Sequence, residues 1–144
     1  VAAEEISSDK IDNRYLVLFS SLSLYAGKKI ILQASVSNNL NSTLIKNTYP
    51  NFSTQEINYK DQLMPRIAFS YSPAGYIVIH GVISKGYSVP TTAEIRPSGN
   101  IINTSLQPES GWNREAGIRL KSLNKFFSTE FTYFNYALTN TITF

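Results

Sequence analysis

The sequence predicts an all-β domain, a small antiparallel β-barrel or a jelly-roll-like sandwich of about 8–10 short strands. Three observations carry that expectation. Polarity is supplied by 18 Ser, 13 Asn and 11 Thr rather than by charge, which makes up 16% of the chain; Asn and Ser satisfy turn backbone, and Thr suits the pleat. Nine Tyr and eight Phe add the aromatic content that strands favour. Apolar runs of strand length recur, each closed by Pro, Gly or Ser.

The length of 144 residues suits one domain with a core. Residues 1–13 read as a polar lead-in or connector and residues 14–144 as a single all-β domain. The start at Val1 and the lack of a signal peptide read as a piece of something longer. Without cysteine there is no disulfide, thiolate nucleophile or Cys-based metal site, so the fold is expected to rest on packing, helped by association. The net charge of +3 is dispersed, which argues against nucleic acid. No apolar run approaches the ~18 residues of a spanning helix, so no membrane insertion is expected.

Taken in order, Tyr15 to Phe19 is a first apolar run, and Leu22 and Leu24 alternate with Ser21 and Ser23. After a turn at Ala26-Gly27-Lys28, Ile30, Leu32, Ala34 and Val36 share one face while Ile31, Gln33 and Ser35 share the other. Residues 37–65 read as a long excursion with one short strand near Thr43 to Ile45. Residues 66–106, RIAFSYSPAGYIVIHGVISKGYSVPTTAEIRPSGNIINTSL, hold the most apolar segment, Tyr76 to Ile83. Within them Thr92–Arg96, the Pro97-Ser98-Gly99-Asn100 turn and Ile101–Leu106 predict a hairpin. Residues 107–117 read as a polar loop holding the single tryptophan, Ile118 to Leu123 as a short strand, and Phe126 to Phe144 as two aromatic, Thr-rich strands.

No catalytic chemistry is legible, so no enzyme and no cofactor are expected. There is no G-x-S-x-G, no phosphate loop, and one histidine with no cysteine leaves no zinc set. A carboxylate pair drawn from Glu94, Glu109, Glu115 and Glu130 is a third-ranked, hydrolase reading. His80 on its apolar strand reads first as a hydrogen-bonded core residue and second as a ligand contact. Trp112 with Asn113 and Arg114 has the ingredients of a sugar subsite, an apolar platform beside planar polar groups; a lid over the core is an equal reading. On the hairpin, Glu94 and Arg96 would stand over Asn103 on one face, which reads first as ordinary wet surface and second as a polar ligand contact. The Asn-x-Ser/Thr acceptors at Asn41, Asn51 and Asn103 are expected by chance in so Asn-rich a chain.

The glycine-containing strand GYIVIHGVI followed by AEIRPSGNII resembles the head domains of receptor-binding proteins from tails of phages that infect lactic-acid bacteria. The resemblance implies a trimeric β-barrel head at the tip of a phage tail, in the virion and outside the cell. Such a head grips cell-wall saccharide without catalysis. The expected ligand-binding residues are Trp112, Asn113, Arg114, Glu94, Arg96 and His80. A bacterial adhesin or pilin-like interaction module is the alternative.

Overall fold

The computed structural model describes residues 8–49, 52–59, 61–95, 103, 105–122, 124 and 126–139. The all-β class holds. The strands are fewer and longer than expected: β1 (Ser8–Ala26), β2 (Ile30–Tyr49), β3 (Ser53–Asn58), β4 (Gln62–Ala74), β5 (Ile77–Ser88), β6 (Glu109–Lys121) and β7 (Ser128–Thr139), with one helical turn, α1 (Thr92–Ile95). They form one antiparallel sheet in the order β1-β2-β4-β5-β6-β7, and β3 pairs with the far end of β2.

Several expectations are corrected by this topology. The presumed excursion over residues 37–65 is the second half of β2, then β3 and the start of β4. Its Asn, Ser and Thr residues belong to a ladder that runs unbroken from Ala26↔Ile30 to Asp9↔Asn47. The Trp112 loop is strand β6, because Asn113, Glu115, Gly117 and Arg119 alternate with Trp112, Arg114, Ala116 and Ile118. The hairpin fails on its first arm: Thr92–Ile95 is α1. The N–H of Thr91 donates to Glu94 Oε2 at 2.6 Å, and the N–H of Glu94 to Thr91 Oγ1 at 3.4 Å. These two bonds are a capping box, spelled by Thr91-Thr92-Ala93-Glu94. The predicted turn at residues 97–100 lies outside the described residues.

The two ends of the sheet differ. One carries the connections Gly27-Lys28-Lys29, Gly75-Tyr76 and residues 122–127; Gly27 takes the positive φ of 61° that its turn requires. The other carries the long connection of residues 89–108 and the β1–β3 extension. The described core sits at this second end, where Ile45, Ile57, Tyr59 and Ile95 pack together with Ile11, Val89 and Leu106 at their margin. The segment after β5 therefore folds back over the extension and is pinned there by Ile95, 3% exposed. The Asn103 N–H donating to the Ile95 carbonyl at 2.8 Å adds a second tie. Burial pushes the Tyr59 hydroxyl above its ordinary pKa.

Elsewhere the expected packing is missing. Besides that cluster, the buried residues among those described are Thr43, Ala68, Gly81, Pro90, Pro108 and Gly111, none of them a large apolar side chain. A soluble sandwich of this size would hide its alternating leucines, yet Leu22, Leu24, Leu32, Ile67, Phe69 and Phe131 are all exposed.

Candidate functional site

Side chains directly opposite one another in an antiparallel ladder share a face, so the registers sort the sheet into two sides. One rung passes through Leu24, Leu32, Phe69, Gly81, Ala116 and Tyr133. Another passes through Leu22, Ala34, Ile67, Ile83, Arg114 and Asn135. This side is apolar along most of its length and exposed. Rungs of the opposite side read Ser23, Gln33, Ala68, Val82, Glu115 and Phe134, or Tyr25, Ile31, Ser70, His80, Gly117 and Thr132. That side is mostly small and polar through its centre, with inward aromatics concentrated on β1 and β7. The Ile45–Ile57–Ile95 cluster lies on the polar side too, since Ile11, Ile45 and Gln55 continue its parity.

The chemistry of the polar side concentrates at the last three strands. His80 Nε2 stands 3.3 Å from Glu130 Oε1. Glu130 Oε2 in turn accepts from Arg119 Nε at 2.9 Å and from Nη2 at 2.8 Å. Gly117 makes this possible: a Cβ there would come 2.5 Å from His80 Nε2 and 3.0 Å from the Phe131 carbonyl oxygen. Two residues further along β6, Asn113 Nδ2 donates to Glu115 Oε1 at 2.5 Å. The Tyr136 ring lies over Gly111, whose Cβ would meet it at 3.0 Å. The arrangement is half-exposed rather than enclosed. Among the described residues no group of three His, Cys, Asp or Glu is placed to hold a metal ion.

The expected ligand residues are dispersed by this geometry. Trp112 and Arg114 stand on the apolar side, opposite Lys85 and Ile83, while Asn113 between them stands on the polar side. Glu94 caps α1, and Arg96 lies outside the described residues. His80 is half-buried and stands beside Glu130. Sequence reasoning names Glu130 only as one of four candidate carboxylates and does not join it to His80, Arg119 or Gly117. Arg119 was legible as an alternating polar position; Glu130 and Gly117 depend on register across β5, β6 and β7, which spacing along the chain does not contain.

So large an exposed apolar side marks a surface met by a membrane or by a partner. Each of the six long strands has 12 residues or more. At a rise of ~3.3 Å per residue and a tilt of ~40°, 12 residues climb roughly 30 Å, the thickness of a bilayer's hydrocarbon layer. Among the described residues no helix is long and apolar enough to cross a membrane; strands cross by a different rule. The absence of an 18-residue apolar run, from which no insertion was expected, detects helices only.

Comparison with known proteins points the same way. The profile of the "TonB dependent receptor-like, beta-barrel" family matches residues 3–144, all but the first two. No curated protein and no solved structure gives a match. The family match overturns the resemblance to phage receptor-binding heads, which rested on a strand and a turn common to many β-proteins. The virion-tail location, host recognition through cell-wall saccharide, the homotrimer and the lack of membrane insertion fall with it. The adhesin or pilin-like alternative gains no support.

Proposed function

The chain belongs to the TonB dependent receptor-like β-barrel family, and from that premise we propose that its six long strands form a stretch of the wall of a bacterial outer-membrane receptor. The observation that supports this reading most is the sorting of side chains by register. Every second residue on six consecutive strands meets lipid, and the residues between them line the lumen, the apolar-out, polar-in alternation of outer-membrane barrels. Six strands are fewer than the roughly eight of the smallest such barrels. The outer edges of β1 and β7 carry no neighbour among the described residues, so these are the edges at which further strands of the barrel join.

The ends assign orientation. Outer-membrane barrels turn tightly at the periplasmic side and carry their longer loops outside the cell. The Gly27-Lys28-Lys29 and Gly75-Tyr76 turns are then periplasmic, and Val89 to Ile95, which folds back onto Ile45, Ile57 and Tyr59, is extracellular. The Asn113–Glu115, Tyr136 and His80–Glu130–Arg119 groups face what passes through.

Epitope tags test location and orientation together. With the whole receptor expressed in its outer membrane, a tag inserted at exposed Thr91 is expected to bind antibody on intact cells. A tag at Lys28 is expected to bind only after the membrane is permeabilised. Labelling at Lys28 but not Thr91 on intact cells would reverse the orientation, and recovery of the protein in the soluble fraction would refute the proposal.

A further inference from the structure

Arg66 is an unmatched charge on the side assigned to the lumen. By register, the polar side of β1, β2 and β4 presents the odd-numbered residues from Asn13 to Tyr25 and from Ile31 to Asn47, and the even-numbered residues from Gln62 to Ser70. Arg66 is the single charged residue among them. Its guanidinium has no hydrogen bond or ion pair with another described residue. Charges further along the sheet are already engaged, since Arg119 holds Glu130 and Glu115 accepts from Asn113. The rung of Arg66 reads Ser21, Ser35, Arg66, Ser84, Asn113 and Tyr136, with no carboxylate in it.

A hollow of about 210 Å³ opens against this arginine. Most of its lining belongs to the polar side: Phe19, Ser21 and Ser23 on β1, Gln33 and Ser35 on β2, and Arg66 on β4. The intervening Leu22 and Ala34 complete it. The hydroxyls of Ser21, Ser23 and Ser35 and the Gln33 amide can all turn a hydrogen inward. Like Arg66, none of these four side chains is bonded to another described residue. A guanidinium fork with neutral donors beside it, and no carboxylate to compete, suits an oxyanion. Its uncompensated charge raises the local concentration of anions. The Phe19 ring forms one wall, so an apolar body attached to the anion has a surface to lie on.

Resting on the wall reading above, we propose that this hollow binds the carboxylate or phosphate group of a small organic solute in the lumen. Arg66 pairs with the anion, Ser21, Ser35 and Gln33 donate to its oxygens, and the organic body lies against Phe19.

The test is protection of Arg66 from phenylglyoxal, a reagent for free guanidinium groups, in the whole receptor in mild detergent, read by mass spectrometry of the peptide that carries it. Phenyl phosphate and benzoate are expected to slow the modification saturably and at lower concentration than inorganic phosphate, and neutral benzyl alcohol to have no effect. Ser35→Ala is expected to raise the half-protecting concentration of phenyl phosphate roughly tenfold, the size of a lost hydrogen bond to a charged group. Ser70→Ala, on the same side of β4 toward the short turns, is expected to leave it unchanged. Absence of protection, equal protection by benzyl alcohol or by inorganic phosphate, or an unchanged Ser35→Ala would overturn the proposal. So would an Arg66 that phenylglyoxal never modifies, the result if a carboxylate elsewhere in the receptor fills the hollow. A Ser35→Cys variant in the membrane separates the two readings. If it reacts with a water-soluble maleimide while no anion protects Arg66, the anion site falls and the wall stands; if it reacts only with a membrane-dissolved maleimide, both fall.

Discussion

Ile67→Arg is expected to destabilise the protein by about 2–4 kcal/mol, the penalty for a charge on the lipid side of a barrel near mid-bilayer. Ile67 lies halfway between Leu63 and Tyr71 on β4, opposite Ala34 and Ile83, and is 62% exposed. For a soluble domain that exposure would make the change nearly neutral, within about 0.5 kcal/mol. Thr132→Arg is the matched control. It stands on the polar side opposite Gly117 and next to Glu130, where a new cation meets water and carboxylates, and it is expected to stay within about 0.5 kcal/mol. Urea titration of the whole receptor refolded into lipid vesicles measures both, and equal effects at the two positions would remove the distinction between the sides.

The second large effect is expected at Ile95. Truncation to alanine empties a site 3% exposed between Ile45, Ile57 and Tyr59, a change that costs about 2–5 kcal/mol in a packed core. Here the loss falls on the fold-back of the segment after β5, since Ile95 touches the extension rather than the spanning ladder. Amide hydrogen exchange is expected to accelerate over Val89 to Ile95 and at Tyr59, with β4 to β6 unchanged. Thr92→Ala, on an exposed position of the same turn, is expected to leave exchange as it was. Unchanged exchange in Ile95→Ala would mean that the segment is not held by this contact.

These two residues show what the sequence made legible. The period of two was plain in Leu22, Leu24 and in Ile30, Leu32, Ala34, Val36, so the strands and the all-β class could be read directly. Which way the apolar side points could not. Alternation states that one side differs from the other, and an aqueous core and a lipid bilayer impose the same pattern on a strand. The choice between them is made by whether a second layer exists to cover Leu32 and Phe69, a property of the whole topology. Residues 37–65 misled for a related reason. Asn, Ser and Thr are turn formers in water, but on the polar side and the extension of a long ladder they are ordinary strand residues. The capping box at Thr91 to Glu94 was legible and overlooked, because the Pro-x-Gly signal six residues later drew the segment into a hairpin.

Which candidate residues stand together was not legible along the chain, and the physical cause is again the pleat. Trp112, Asn113 and Arg114 were joined because they are consecutive, yet consecutive strand residues point to opposite sides. His80, Arg119 and Glu130 come from three strands and meet only through the registers His80↔Gly117 and Arg119↔Glu130.

Single-cysteine labelling along β4 tests the central claim most directly, and the described chain offers no native cysteine to interfere. In the whole receptor in its membrane, cysteines at Leu63, Ile67 and Phe69 are expected to react with a membrane-dissolved maleimide and resist a water-soluble one. Those at Met64, Arg66 and Ser70 are expected to show the reverse. A reactivity that follows this period of two is the result of a wall between lipid and lumen; uniform reaction of all six with the water-soluble reagent would contradict it.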